Sequence, residues 1–379
     1  MSHSSHASEP SRPAASSLRV LHLVKGLGPG GAERLLVNQL ATSTGDVDYT
    51  VGRLLKGKHH LVAEIEATGA ETITIGGGRF WPLGLRSLIT RLQPDILHVH
   101  SPVLASAVRL LRISRLIDTP VVTTEHNRWP RHHWATRTLN KLTANVDDRR
   151  IAVSIDVRDS MTSSIRTTTT VIDHGVPVES IQALAVHRPE MRARLLGDKT
   201  DEKTVVGIVA NFRPEKGYDT FLRAAGIAVR LHPNLCFLVI GQGPGEESFR
   251  AGVVEAGLED DIEVLGYRDD AVMVMTALDI FTLTSRHEGK PVSLMEAFAL
   301  GIPAVCTRAG GIPEAIVDGH NGLLTDIDDA DGIARAWVAL ANDDELRLRM
   351  AQAARTSAAR FDASNATRSI EALYRDMLL

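Results

Sequence analysis

The chain has 379 residues, of which 44% are hydrophobic and 23% charged, with a net charge of −4 at pH 7. That length is enough for two domains with separate cores, and the charge balance gives no global basis for nucleic-acid binding. No apolar run approaches the roughly 18 residues needed to span a bilayer, so the cytosol is the default compartment.

Residues 1–17, rich in Ser, His, Pro and Ala and lacking an apolar core, are expected to form a disordered tail. From 18 to 178, short apolar β-branched runs (19–24, 49–55, 71–75, 95–100, 120–124, 150–154, 169–173) alternate with helical patterns. Such alternation predicts a parallel sheet covered on both faces. The first turn, Gly26-Leu-Gly28-Pro-Gly30-Gly31, formally meets G-x-G-x-x-G. The second run, however, ends Leu54-Leu55-Lys56 without the acid by which a dinucleotide site holds a ribose. Its glycines still let backbone N–H groups approach a diphosphate; the alternative is a plain helix-start turn. Asp46-Val-Asp48 spells D-x-D, a metal–diphosphate signature, but lies in a loop away from any helix mouth. His98 and His100 share a strand face as a metal pair would, yet no carboxylate or cysteine completes the set by spacing, and no metal is expected.

Residues 127–141 carry Arg128, Trp129, Arg131, His132, His133, Trp134, Arg137 and Lys141. They read either as a solvated basic loop and helix or as a contact for an acceptor or a membrane surface. A polar stretch, 179–203, reads as an interdomain linker. Alternation then restarts over 204–360, with runs at 204–210, 235–240, 261–265, 279–283 and 303–306, predicting a second doubly wound domain. Such sheets bind ligands beyond the carboxyl ends of their strands, where the informative motifs lie, so a cleft between the domains is expected. Cys236 and Cys306 fall in apolar strand-like runs and read as buried thiols.

Arg213 and Lys216 flank the first turn of the second domain, two cations suited to a departing diphosphate or simply a solvated turn. Farther on, Glu288-Gly-Lys-Pro-Val-Ser-Leu-Met-Glu296 opens a helix expected to place Pro291 at its first position and to stop at Gly301. A helix mouth offers free N–H groups and positive dipole character to an anion, while the two acids suit hydroxyls. A nucleotide sugar carries both. Either glutamate alone would read as an ordinary surface or dipole-stabilising acid.

The order and spacing of several segments resemble the GT-B retaining glycosyltransferases of family 4 (glycosyl transferases group 1). They are Gly30-Gly-Ala-Glu33, Asp95-Ile-Leu-His-Val-His100, Thr124-Glu-His126, Ala152-Val-Ser154, Pro214-Glu-Lys-Gly217, Ile240-Gly-Gln-Gly243, the Glu288 to Glu296 segment, Gly301-Ile-Pro-Ala-Val and Gly310-Gly-Ile-Pro-Glu314. The resemblance implies an α/β protein of two Rossmann-like domains facing a central cleft, the first (18–178) for the acceptor and the second (204–360) for the nucleotide sugar. It also implies a C-terminal helix (361–379) that returns to the first domain. Its catalytic residues would be His126, Glu288, Arg213 and Lys216. Its donor-binding residues would be Gly30, Gly31, Asn211, Arg213, Lys216, Gly241, Arg268, Glu288, Gly289, Lys290, Leu294 and Glu296. In those roles Glu288 accepts bonds from hydroxyls of the transferred sugar, Glu296 holds the ribose, His126 lies near the reacting carbon, and Gly289 and Lys290 contribute backbone N–H groups. Two departures stand out. Asn211 occupies the place of the family's arginine, for which Arg213, two residues on along an extended strand, would substitute; and His174-Gly175 stands where the family commonly has Asn-Gly.

The expected activity is transfer of a hexose, with retention, from a UDP- or GDP-sugar co-substrate to a glycan, lipid or small-molecule acceptor, with no essential cofactor or metal. A nucleotide-sugar epimerase of the same architecture and a catalytically degenerate nucleotide-sugar-binding protein are the alternatives. Because contacts are expected from both domains, donor binding should bring them together.

Overall fold

The computed structural model describes residues 17–76, 78–197 and 202–379, so nearly all of the expected tail and part of the expected linker lie outside the described residues. Seven strands form the first sheet: β1 (Leu18–Val24), β2 (Val47–Arg53), β3 (Glu71–Thr74), β4 (Ile96–Val99), β5 (Val121–Glu125), β6 (Arg149–Ala152) and β7 (Thr169–Val171). They pair in parallel in the order β3-β2-β1-β4-β5-β6-β7. The second sheet contains β8 (Thr204–Val209), β9 (Leu235–Ile240), β10 (Ile262–Gly266), β11 (Ile280–Leu283), β12 (Ala304–Thr307) and β13 (Gly322–Thr325). Its order, β10-β9-β8-β11-β12-β13, is again parallel throughout. Each expected run overlaps a strand. β13 was not anticipated, because Gly-Leu-Leu-Thr is too short and too poor in β-branched residues to announce itself.

Both faces of the central strands are buried, as a sheet covered by helices requires. On β1, Leu21 and Leu23 join Leu97 and Val99 in one apolar cluster, while Val20 and Val24 join Ile96 in another on the opposite face. The helix Ala363–Asp376 closes that second face with Ala366, Ile370 and Tyr374. Its Glu371, fully buried, accepts hydrogen bonds from Ser43 Oγ (3.0 Å), Thr44 N (3.3 Å) and Tyr49 Oη (3.0 Å). A buried carboxylate is tolerated when its lone pairs are satisfied in this way. The last helix of the chain therefore belongs to the first domain's core.

The 179–203 stretch is not an irregular tether over its described part. It forms the helices Val178–Ala183 and Arg188–Leu196, separated by a short 3₁₀ turn. Ile181 joins the second domain's core and Met191 a satellite cluster beside it. Arg188 and Arg192 both bind Asp279 at the head of β11. The two chain crossings between domains are stitched together: Val176 N donates to Phe361 O (2.8 Å) and Ala363 N to Val176 O (2.9 Å).

Candidate functional site

In each sheet the strand order reverses between neighbours that diverge in sequence, β1 against β4 and β8 against β11. Loops leaving the carboxyl ends there diverge and leave a crevice. Two helices start at these crevices without a side-chain cap. One is Gly31–Ala41 with Gly30 at its N-cap; the other is Val292–Ala299 with Pro291 at its N-cap. Pro291 thus sits one residue ahead of the expected first helical position, where its missing N–H is equally harmless. Gly301 follows the helix with a φ of 74°, the left-handed stop anticipated. A Cβ on Gly31 would lie 3.5 Å from Cγ2 of Val292, so the two helix mouths meet across the interdomain cleft. An anion between them would face unpaired N–H groups and the positive ends of two dipoles.

Around this point the second domain supplies its charged groups. Lys216 comes from the turn after β8 and Glu288 from the loop after β11, and the adjacency of those strands brings them together. Lys216 Nζ donates to both carboxylate oxygens of Glu288 (2.7 and 2.9 Å), and Ser285 Oγ donates to one of them (2.7 Å). Gly217 makes this approach possible: its φ is 66°, and a Cβ there would fall 2.1 Å from the carbonyl oxygen of Thr284. The carboxylate of Glu296, half-buried on the helix, has no hydrogen-bond partner among the described residues. Burial lifts its carboxyl to about 7, and the nearest cation acting against that shift is Arg34 of the first domain.

The glycine loop gathers charge of its own. The Glu33 carboxylate folds over Gly30, and burial raises it despite the nearby Lys58 and Arg213. Arg213 therefore reaches toward the loop, although it is more than half exposed and, among the described residues, paired only with Glu215 at 4.0 Å. Its proposed exchange with Asn211 needs correction in its premise. Arg213 N donates to Asn211 O at 2.8 Å, a turn about Phe212, so the chain is not extended there and the two side chains do not share a face by strand alternation. The side chain of Asn211 makes no hydrogen bond among the described residues.

Four further predicted donor contacts are occupied structurally. Lys290, 2% exposed at its side chain, pairs with Asp173 of the first domain and lies 5.4 Å from the Phe361 ring, leaving only its backbone for a ligand. Leu294 is in the second domain's core. Arg268 is held bidentately by Asp270 (2.7 and 2.6 Å). Gly241 is where β9 approaches β8, with Ala210 O 1.9 Å from a hypothetical Cβ. Gly289 does face the first domain: a Cβ on it would lie 2.5 Å from the carbonyl oxygen of His126.

His126 ends a chain of buried and half-buried histidines that local sequence reasoning did not assemble. His22 stands beside His98 in the β1–β4 register. His22 Nδ1 lies 2.8 Å from His100 Nε2, and His100 Nδ1 lies 3.2 Å from His126 Nε2. Ring nitrogens of His22, His98 and His100 come within 4.8 Å of one another. Both nitrogens of His98 are already engaged, by Tyr374 Oη and by Thr124 Oγ1. Nothing near His22 in sequence signals this; only strand pairing does. Asp46 of the D-x-D lies at the surface beside Arg375, 3.4 Å away. In the basic 127–141 stretch Trp129 is buried, whereas Trp134 is 69% exposed.

The profile of the family described as "Glycosyl transferases group 1" matches residues 192–357, and that of "Glycosyltransferase Family 4" matches residues 53–180. Among curated relatives, the lipopolysaccharide core biosynthesis glycosyltransferase LpsE of Rhizobium meliloti (strain 1021) is 32% identical over 42% of this chain and 46% of its own. The N-acetyl-alpha-D-glucosaminyl L-malate synthase of Bacillus anthracis is also 32% identical, over 48% of each chain. The chain thus spans about half the length of these relatives. In fold it is similar to Anabaena HepE, crystallised with UDP-glucose, with a TM-score of 0.81 at 22% identity, covering 95% of this chain and 100% of that one.

Proposed function

Because the chain belongs to the group 1 glycosyltransferases of family 4, we propose that it transfers a hexose from a nucleoside-diphosphate sugar to an acceptor hydroxyl with retention at the anomeric carbon. The observation that carries this reading is the meeting of two uncapped helix mouths beside the Lys216–Glu288 pair. Phosphate oxygens suit the N–H groups and the lysine; hydroxyls suit the carboxylates. In the proposed reaction the bond from the anomeric carbon to the diphosphate oxygen breaks. The acceptor oxygen bonds to that carbon from the same face, and its proton passes to the departing phosphate. Lys216, with Arg213 nearby, stabilises the charge growing on that phosphate. Glu288 accepts hydrogen bonds from hydroxyls of a sugar distorting toward an oxocarbenium-like state. Glu296 takes the ribose hydroxyls. A uridine donor is in keeping with the UDP-glucose bound by the similar HepE structure.

A lipid-linked acceptor is favoured by the helix Trp134–Thr143, which exposes Trp134 and carries Lys141 in its last turn. An Escherichia coli relative, 24% identical over 78% of this chain and 79% of its own, is named as a galactosyltransferase acting on a diphosphoundecaprenol-linked sugar. The enzymatic test begins with thermal stabilisation by a panel of UDP- and GDP-sugars, where a donor at about 100 times its Kd adds about 2.7 kcal/mol. Glu288→Gln should then lower kcat by about 100-fold with little change in donor affinity. Wild-type turnover by that variant would remove Glu288 from the site, and epimer formed from donor alone would favour the epimerase alternative.

A further inference from the structure

His174 is one of the two departures from the family resemblance, and its surroundings specify what it can do. Its Nδ1 lies 3.1 Å from the carbonyl oxygen of Ile172. A carbonyl only accepts, so Nδ1 carries the proton and Nε2 presents a bare lone pair. That Nε2 is buried and has no partner among the described residues, an uncommon condition that calls for an explanation. The Nδ1 of His126 is buried and unpartnered as well, and the two rings are 5.9 Å apart at 59°. Both rings are neutral at pH 7, burial having pushed His174 down to about 4 and His126 to about 3.

The location is fixed from two sides. Asp173, next in the chain to His174, pairs with Lys290. Gly289, next to Lys290, packs against the backbone of His126. Both histidines therefore border the Glu288–Lys290 loop.

The histidine chain behind His126 limits its tautomer. With each ring neutral, the two contacts His22–His100 and His100–His126 are both hydrogen bonds only if all protons point the same way. In one arrangement His22 Nδ1–H donates to His100, and His100 Nδ1–H donates to His126, leaving His126 Nδ1–H as a free donor. In the other, His126 Nδ1 is a bare acceptor. That second state sets two lone pairs, on His126 and His174, toward one small region; the first sets a donor beside an acceptor. A hydroxyl accepts one hydrogen bond and donates another, so the first state complements it. A phosphate oxygen, which only accepts, is complemented less well.

We propose that His174 is a sugar-contacting residue whose Nε2 accepts a hydrogen bond from a hydroxyl of the transferred sugar, opposite Nδ1–H of His126, with His100 and His22 as positioning residues that hold His126 in that tautomer. This rests on the donor-site reading above. It assigns to His174 an acceptor-only role that the amide of an asparagine, both donor and acceptor, would not impose.

Two measurements test it. Long-range ¹H–¹⁵N spectra of histidine-labelled wild-type protein should show the Nδ1–H tautomer for both His174 and His126; an Nε2–H tautomer at either overturns the proposal. In His100→Phe the His126 signal should move toward the Nε2–H form while His174, whose Nδ1–H is held by the Ile172 carbonyl, keeps its Nδ1–H form; an unmoved His126 signal removes His100 and His22 as positioning residues. Calorimetric titration of UDP-glucose, UDP-galactose, UDP-N-acetylglucosamine and GDP-mannose, with UDP and GDP as controls, supplies the second readout. His174→Phe should weaken the bound nucleotide sugar about 10-fold, the loss of one hydrogen bond, and leave the matching free nucleoside diphosphate unchanged. Equal losses for both ligands, or none for either, would count against a sugar contact. Failure of the wild-type protein to bind any of these sugars would instead count against the donor-site reading itself.

Discussion

Glu296 shows how burial alone can shift a carboxyl at the cleft. Its carboxyl is partly withdrawn from water on the helix side of the cleft without a hydrogen-bond donor among the described residues to replace the lost hydration, so burial raises it from the usual carboxylate range to about 7. Ribose hydroxyls donating to the carboxylate would stabilise its ionised form and bring the value down again. Donor binding near pH 6.5 should therefore release a fraction of a proton. Titration calorimetry in buffers of different ionisation enthalpy reads that fraction directly, and Glu296→Gln should abolish it; release that persists in the variant would place the titrating group elsewhere. The sign for stability is opposite in sense to that of a salt-bridged acid. Because the folded value exceeds the unfolded one, this group's contribution to stability is lost as pH rises from about 4.5 to 7. The sequence marks Glu288, Glu296 and Lys216 through their motif spacing. It does not mark the partnership of Lys216 with both oxygens of Glu288, which depends on β8 and β11 being neighbours. His22 is invisible for the same reason, since its link to His100 exists only across the β1–β4 pairing.

At the scale of elements, strands were the most legible feature because parallel strands buried on both faces leave continuous apolar runs. β13 escaped through its brevity, and the 179–203 stretch through its polarity. Its helices dock largely by arginines: Arg188 and Arg192 converge on Asp279, an arrangement that hydrophobic periodicity cannot reveal. The helix Trp134–Thr143 poses the converse case, an element whose pattern is clear and whose outward face has a use to be tested. Trp134 is 69% exposed, Leu142 just inside the last turn is 76% exposed, and Arg131 and Lys141 flank them at the surface. Apolar side chains at both ends of a basic helix suit an interfacial position on anionic lipid. The double variant Trp134→Ala/Leu142→Ala should reduce flotation with vesicles containing phosphatidylglycerol. Each lost side chain is worth about 2 kcal/mol if fully buried in the interface, so the reduction should be at least 10-fold. Transfer to a water-soluble acceptor should be unaffected; equal flotation of wild type and variant would assign this face to solvent.

The two domains are held in register by polar contacts contributed from segments next to the cleft. Glu314, in the Gly310-Gly-Ile-Pro-Glu314 segment of the second domain, accepts from Ile155 N (3.1 Å) and Asp156 N (3.0 Å) of the first. It thus supplies a carboxylate to the opening turn of a helix in the other domain, favourable both as a cap and toward the helix dipole. Lys290 with Asp173 makes a second tie, and the paired crossings at Val176 and Phe361 make the hinge. Under the proposed function, closure would be coupled to donor binding, because Lys290 and Gly289 lie in the same loop as Glu288. Two-domain clefts of this kind exchange between open and closed arrangements separated by small free-energy differences. Glu314→Ala removes an acceptor from two backbone donors and should shift that balance toward the open form. Small-angle scattering should then show a larger radius of gyration than wild type, restored toward the wild-type value by saturating nucleotide sugar. An open fraction of about one half would double the apparent Kd, since affinity scales with the competent population. A variant whose radius of gyration and donor affinity both equal the wild type would show that the Glu314 contact follows domain closure without contributing to it.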